Sequence, residues 1–210
     1  MVHSFPTRRS SDLLWIFLSL FAGLAGRAAG QAPATYFTTT PLPEGRQMYG
    51  AAVLGNSLYV IGGNWARDGY TANCCRAPIL PDGSLGAWTE TTPMPQPRSY
   101  IGNATLALND MIYVVGRFLN DETKFSYNTA IWSRPGPDGN LGPWQESPPF
   151  AAAGRDCLTV VSTPGFIHVL GGSVGSRNPT AEVITGVVDA EGRIAAWEPG
   201  PPMPVQLWFH

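Results

Sequence analysis

The chain says the same thing three times. The stretch QMYGAAVLGNSLYVIGG (Gln47–Gly63) returns as SYIGNATLALNDMIYVVGR (Ser99–Arg117) and as DCLTVVSTPGFIHVLGG (Asp156–Gly172). A second element, LPDGSLGAWTETTPMP (Leu80–Pro95), returns as GPDGNLGPWQESPPF (Gly136–Phe150) and DAEGRIAAWEPGPPMP (Asp189–Pro204). Trp88, Trp144 and Trp197 stand 56 and 53 residues apart, and Gly62, Gly116 and Gly171 stand 54 and 55 apart. A period near 50 residues means one supersecondary unit per repeat, each needing a neighbour to bury its apolar face. Three repeat units follow, at about 47–95, 99–150 and 156–204.

Each repeat offers four strands. In the first copy these are Met48–Leu54, Leu58–Ile61, about Asn73–Leu80, and one beginning near Trp88. All are short and rich in β-branched and aromatic residues. Gly55-Asn56-Ser57, Asn109-Asp110 and Pro164-Gly165 are tight turns between the first two strands. Asp82-Gly83 and Asp138-Gly139 mark the turn before the tryptophan, where glycine takes positive φ. No long run of 3.6-residue hydrophobic period follows residue 30. The expected fold is all-β, with three four-stranded units.

This pattern resembles the kelch repeat: a strand, a turn, an aromatic–hydrophobic strand ending in Gly-Gly, then a tryptophan strand some 25 residues on. It is most similar to the secreted bacterial-type variant, with a DG-x-LG-x-W turn. The likeness runs from about Tyr36 to His210 and implies a β-propeller. Arg117 departs from it, in place of the second glycine of the doublet, and His168 stands where Tyr59 and Tyr113 stand. These departures put the local turn geometry in question.

The two ends read differently. Leu13 to Gly26, LLWIFLSLFAGLAG, has no charge and is too short for a membrane span, which needs ~20 residues. It fits the apolar region of a secretory signal, with Ala28-Ala29-Gly30 as the cleavage site and Gln31 as the first mature residue. Residues 14–30 are thus read as a signal-peptide remnant, and the chain as secreted or periplasmic with no membrane span after signal removal. Ser4 to Leu13, SFPTRRSSDL, resembles the translation of a sequencing-adapter oligonucleotide, so residues 1–13 are read as an assembly artefact. Tyr36–Pro43 aligns with Trp88–Pro95, a fourth strand without the three before it. Residues 31–210 are therefore expected to be a partial propeller, a fragment of a larger closed one.

Arg46, Arg98 and Arg155 each stand just before a first strand. Radial repetition turns equivalent positions into a ring, and converging guanidiniums can hold carboxylate, sulfate or phosphate bidentately. The competing reading has each arginine bonding backbone carbonyls or stacking on an aromatic. Trp65, Arg67 and Asp68, in the variable loop after the first glycine doublet, form a candidate sugar-contact patch. Trp88, Trp144 and Trp197 recur too regularly for a ligand platform and are expected between units. Cys74 and Cys75 point to opposite faces of a strand and read as filler. Asn103-Ala104-Thr105 is a glycosylation sequon expected within a strand, and so unused.

Charge and donor sets exclude some functions. A formal net charge of −2 gives no basic face for nucleic acid. No His/Cys cluster has metal-ligand spacing, so no metal or cofactor is expected. The residues favour an exported binding or scaffold module for a carbohydrate or protein ligand. The alternative is part of a carbohydrate-active enzyme whose catalytic residues lie elsewhere, and no catalytic residue is assignable from the sequence.

Overall fold

A computed structural model describes residues 37–65, 69–120, 125–174 and 178–207, apart from the side chains of 117–120 and 125. Residues 1–30, read above as artefact and signal remnant, lie outside the described residues, as do Arg67 and Asp68. The chain divides into two bodies, Met1–Thr38 and Thr39–His210, and all three repeats lie in the second.

The fold is all-β. Repeat 1 contains β1 (Arg46–Gln47), β2 (Gly50–Leu54), β3 (Ser57–Ile61), β4 (Asn64–Trp65), β5 (Gly69–Tyr70), β6 (Cys74–Pro78) and β7 (Thr89–Thr91). Repeat 2 contains β8 (Thr105–Leu108), β9 (Met111–Asn120), β10 (Phe125–Ser133) and β11 (Gln145–Glu146). Repeat 3 contains β12 (Arg155–Asp156), β13 (Thr159–Thr163), β14 (Phe166–Leu170), β15 (Ser173–Val174), β16 (Asn178–Pro179), β17 (Val183–Val188) and β18 (Ile194–Gly200). Among the described residues there is no α-helix, and none is long and apolar enough to cross a membrane.

The main sheets run β2-β3-β6-β7, β8-β9-β10-β11 and β13-β14-β17-β18, each an antiparallel meander of four strands. Three copies in sequence thus become three equivalent sheets. Repeats 1 and 3 each carry a second, three-stranded sheet, β1-β4-β5 and β12-β15-β16. The glycine doublets make the break between the two. Gly63 and Gly172 take φ of 93° and 89°, closed to ordinary side chains, and end the strand. Repeat 2 has Arg117 there, and β9 runs on for ten residues, with its ladder to β10 slipping at Phe125/Ser126 and Tyr127/Ala130. The sequence departure has a structural consequence: β9 and β10 extend where repeats 1 and 3 form a second, three-stranded sheet.

The core lies along the second strands. Ile61, Ile112, Tyr113, Val114, Val115, Ile167 and Val169 are almost wholly buried, from both faces of their sheets. Burial of each such side chain contributes ~1.5–3 kcal/mol. Cys74 and Cys75 are buried on opposite faces of β6 as free thiols, a packing role.

Repeats join through polar contacts that recur. The Tyr59 hydroxyl donates to the Gly139 carbonyl at 2.7 Å, and Tyr113 donates to Gly192 at 2.6 Å. In the other direction, Trp144 Nε1 donates to the Thr92 carbonyl at 3.3 Å and Trp197 Nε1 to the Pro148 carbonyl at 3.0 Å. Leu141 N donates to Thr91 Oγ1 at 2.6 Å, and Thr92 Oγ1 donates back to the Leu141 carbonyl. Thr39 and Thr40 treat Leu85 in the same way, at 2.6 Å each, while Trp88 Nε1 donates to the Thr40 carbonyl at 3.1 Å. Thr39 and Thr40 thus bond repeat 1 as Thr91 and Thr92 bond repeat 2, although residues 37–43 form no strand. The three tryptophans are inter-repeat clasps, only half-buried.

Candidate functional site

Each repeat enters its first strand through the same three steps: an arginine, one intervening residue, and then a residue in left-handed backbone conformation. The arginines are braced. Nη1 of Arg46, Arg98 and Arg155 donates to the carbonyl of Gly62, Gly116 and Gly171 at 3.4, 3.0 and 3.5 Å. Arg46 Nη1 also meets the Asn73 carbonyl at 3.1 Å and Arg98 Nη1 the Thr129 carbonyl at 3.3 Å. Arg155 instead pairs through Nη2 with Glu182. Stacking adds to this: the Arg46 guanidinium lies 5.9 Å from the Trp65 ring centroid and that of Arg98 4.5 Å from Tyr127.

Arg98 and Arg155 are each 2% exposed, so desolvation acts on them. Burial pulls the Arg98 guanidinium down to about 10, opposed by Glu146, 3.9 Å away, and by Tyr127. Burial likewise lowers Arg155. Each Nε is buried with no hydrogen-bond partner among the described residues. The three guanidiniums thus brace the backbone at Gly62, Gly116 and Gly171, where the second strand ends in repeats 1 and 3 and runs on in repeat 2. Trp65 is half-buried against Arg46, with Arg67 and Asp68 outside the described residues. The aligned fourth position is Leu207, whose carbonyl accepts from Gly172 N at 2.9 Å as the Arg98 carbonyl accepts from Gly63 N at 2.8 Å.

Two residues beyond each arginine stands a non-glycine residue with positive φ: Met48 at 57°, Tyr100 at 57° and Cys157 at 49°. A side chain in that region costs ~1–2 kcal/mol, so three at equivalent positions are a repeated expense in stability. All three line one cavity of about 230 Å³, with Gly102, Asn103 and Leu158. Asn103 lies on a turn of 3-10 helix, Gly102–Ala104, rather than within a strand as the sequence predicts, and it is exposed. The interval of two after each arginine was the available signal for this trio. Identity hid it, because methionine, tyrosine and cysteine share no chemistry.

Cys157 stands here as a thiol and not as a nucleophile: burial, with Asp156 beside it, pushes it up to about 12. Asp156 is itself raised by burial, and its Oδ1 is buried without a partner. Among the described residues no group of three His, Cys, Asp or Glu side chains is placed to hold a metal ion. The arrangement can receive a small group against apolar walls and offer it Asn103. No family model matches the chain, and a comparison with the curated proteins finds no match.

Proposed function

We propose that this chain is an exported binding module of kelch-type propeller architecture, which receives a glycan or protein ligand at the cavity where its repeats converge. The observation that carries this reading is the trio Met48, Tyr100 and Cys157, strained alike and lining one concavity. Backbone strain clusters at ligand and active sites, and its repetition at equivalent places in three repeats supports a functional role for this cavity. The kelch reading is supported by the repeated meander, the glycine doublets at the strand breaks and the tryptophan after each Asp-Gly-type turn. The volume admits one sugar ring or one protruding side chain.

The test uses the left-handed backbone. Met48→Gly keeps the conformation, relieves the strain and removes the side chain, so it is expected to raise stability by ~1 kcal/mol while weakening ligand retention on a glycan or protein array. Undiminished retention by the variant would set this reading aside.

A further inference from the structure

Repeat 2 carries an insertion that its neighbours lack. Tyr49-Gly50 separate Met48 from Ala51, and Leu158-Thr159 separate Cys157 from Val160. Ala51 and Val160 pair with Val60 and Val169, each shortly before the first glycine of its doublet. In repeat 2 the equivalent pair is Thr105 with Val114, and Ile101-Gly102-Asn103-Ala104 stand between Tyr100 and Thr105. The added length forms the 3-10 turn Gly102–Ala104, closed by Ala104 N donating to the Ile101 carbonyl at 3.1 Å. Ile101 and Ala104 are buried and pin the turn to the core, while Gly102 and Asn103 between them are exposed. Residues presented outward by a short loop on a rigid scaffold are disproportionately functional.

That turn holds the acceptor of a sequon. The sequence contains two Asn-X-Ser/Thr runs, Asn103-Ala104-Thr105 and Asn178-Pro179-Thr180. Proline in the middle position makes the second unreadable, because its ring fixes the backbone and bars the turn that presents the amide to a transferase. Asn103 is followed by alanine instead. Thr105 Oγ1 donates to the Ile101 carbonyl at 2.9 Å, so the hydroxyl that the sequon requires lies across the same turn and keeps its lone pairs as acceptors. The sequence alone puts this run inside a strand, where the amide would be out of reach. The insertion places the asparagine on the surface.

We propose that Asn103 is an N-glycosylation site, modified from a lipid-linked oligosaccharide donor as the chain is exported. Asn103 Nδ2 forms a bond to C1 of the first sugar while the bond from C1 to the diphosphate oxygen breaks. The lipid diphosphate leaves with that electron pair, and the amide gives up one proton. No oxidant or reductant takes part. Because Asn103 lines the cavity of Met48, Tyr100 and Cys157, the attached sugar stands at its rim. The proposal rests on the reading of the chain as exported, and it stands whether or not that cavity binds a ligand.

The experiment has two arms. The full chain is translated with endoplasmic-reticulum microsomes, where protease protection reports export. Separately, the purified full chain is incubated with a solubilised oligosaccharyltransferase and a lipid-linked oligosaccharide. Peptide mass spectrometry is expected to find one glycan, on Asn103, that peptide N-glycosidase removes. Asn103→Gln, at an exposed position, is expected to lose it entirely, as is Thr105→Val, which keeps the side-chain shape and removes the hydroxyl. Circular dichroism checks that both variants fold, and Asn103→Gln decides alone if Thr105→Val does not. A protected chain without a glycan, or a glycan that persists in Asn103→Gln, would overturn the proposal. An unprotected chain sets aside export alone, and the purified arm then decides: modification at Asn103 upholds the site, and an unmodified chain overturns it.

Discussion

Single residues show how little space the repeats leave each other. A Cβ on Gly62 would lie 2.5 Å from the Arg98 carbonyl oxygen, and one on Gly171 would lie 2.5 Å from that of Leu207. The first glycine of each doublet is therefore fixed twice, by its own positive φ and by the backbone of the segment that follows it. Asp156 poses the opposite problem, a carboxyl with too few partners. Its Oδ1 has none, and burial raises its affinity for a proton above the ordinary value of 3.8. The folded chain then holds that proton more tightly than the unfolded chain does. The stability it contributes is complete below pH ~4 and is lost as pH rises through the raised value. Asp156→Asn is expected to remove this decline. In urea denaturation at a series of pH values, the parent chain loses stability relative to the variant from pH ~4 upward. Parallel curves would mean that Asp156 is solvated.

At the scale of elements, periodicity and turn chemistry were legible and backbone strain was not. The three meanders, the hairpin turns and the Asp-Gly turns follow from β-branched runs punctuated by residues that tolerate positive φ, and Gly83 and Gly139 take 83° and 79°. Cys74-Cys75, Ala130-Ile131 and Val183-Ile184 hold equivalent register, since Cys74, Ala130 and Val183 face Ile61, Val115 and Leu170. Two things could not be read. Arg117 in place of glycine signals a changed turn but not a hairpin carried through it. Positive φ at Met48, Tyr100 and Cys157 leaves no mark in composition, because three residues of unrelated chemistry adopt it. What the arginines do is hidden likewise. A repeated arginine is legible as a ring, whereas its hydrogen bonds to the carbonyls of Gly62, Gly116 and Gly171 depend on a placement that only folding creates. Elements are coupled most directly by the tyrosine hydroxyls. Tyr59→Phe and Tyr113→Phe are each expected to cost ~1 kcal/mol, read from urea midpoints, and the pair to add, because they act at different junctions. A change within ~0.3 kcal/mol for both would show that the hydroxyls are solvated instead of bonded across the junctions.

For the whole molecule, one packing rule is applied twice. The face of β3 that carries Tyr59 and Ile61 is covered by repeat 2, and the face of β9 that carries Tyr113 and Val115 is covered by repeat 3. The corresponding face of repeat 3 carries Val161, Phe166 and Val187, which are 46%, 41% and 36% exposed, around a half-buried His168. Stability in such an array is a sum over repeats and their shared junctions. The cavity of Met48, Tyr100 and Cys157 is likewise a product of stacking, lined by one residue position from each repeat. The central claim is thus that successive sequence repeats pack as successive sheets through the same contacts. The most direct test is a nuclear Overhauser measurement on chain labelled in tyrosine and glycine. Cross-peaks are expected from the Tyr59 ring to the Gly139 α protons and from the Tyr113 ring to those of Gly192, contacts spanning 80 and 79 residues. A folded chain showing neither cross-peak, with tyrosine contacts confined to each repeat, would contradict it.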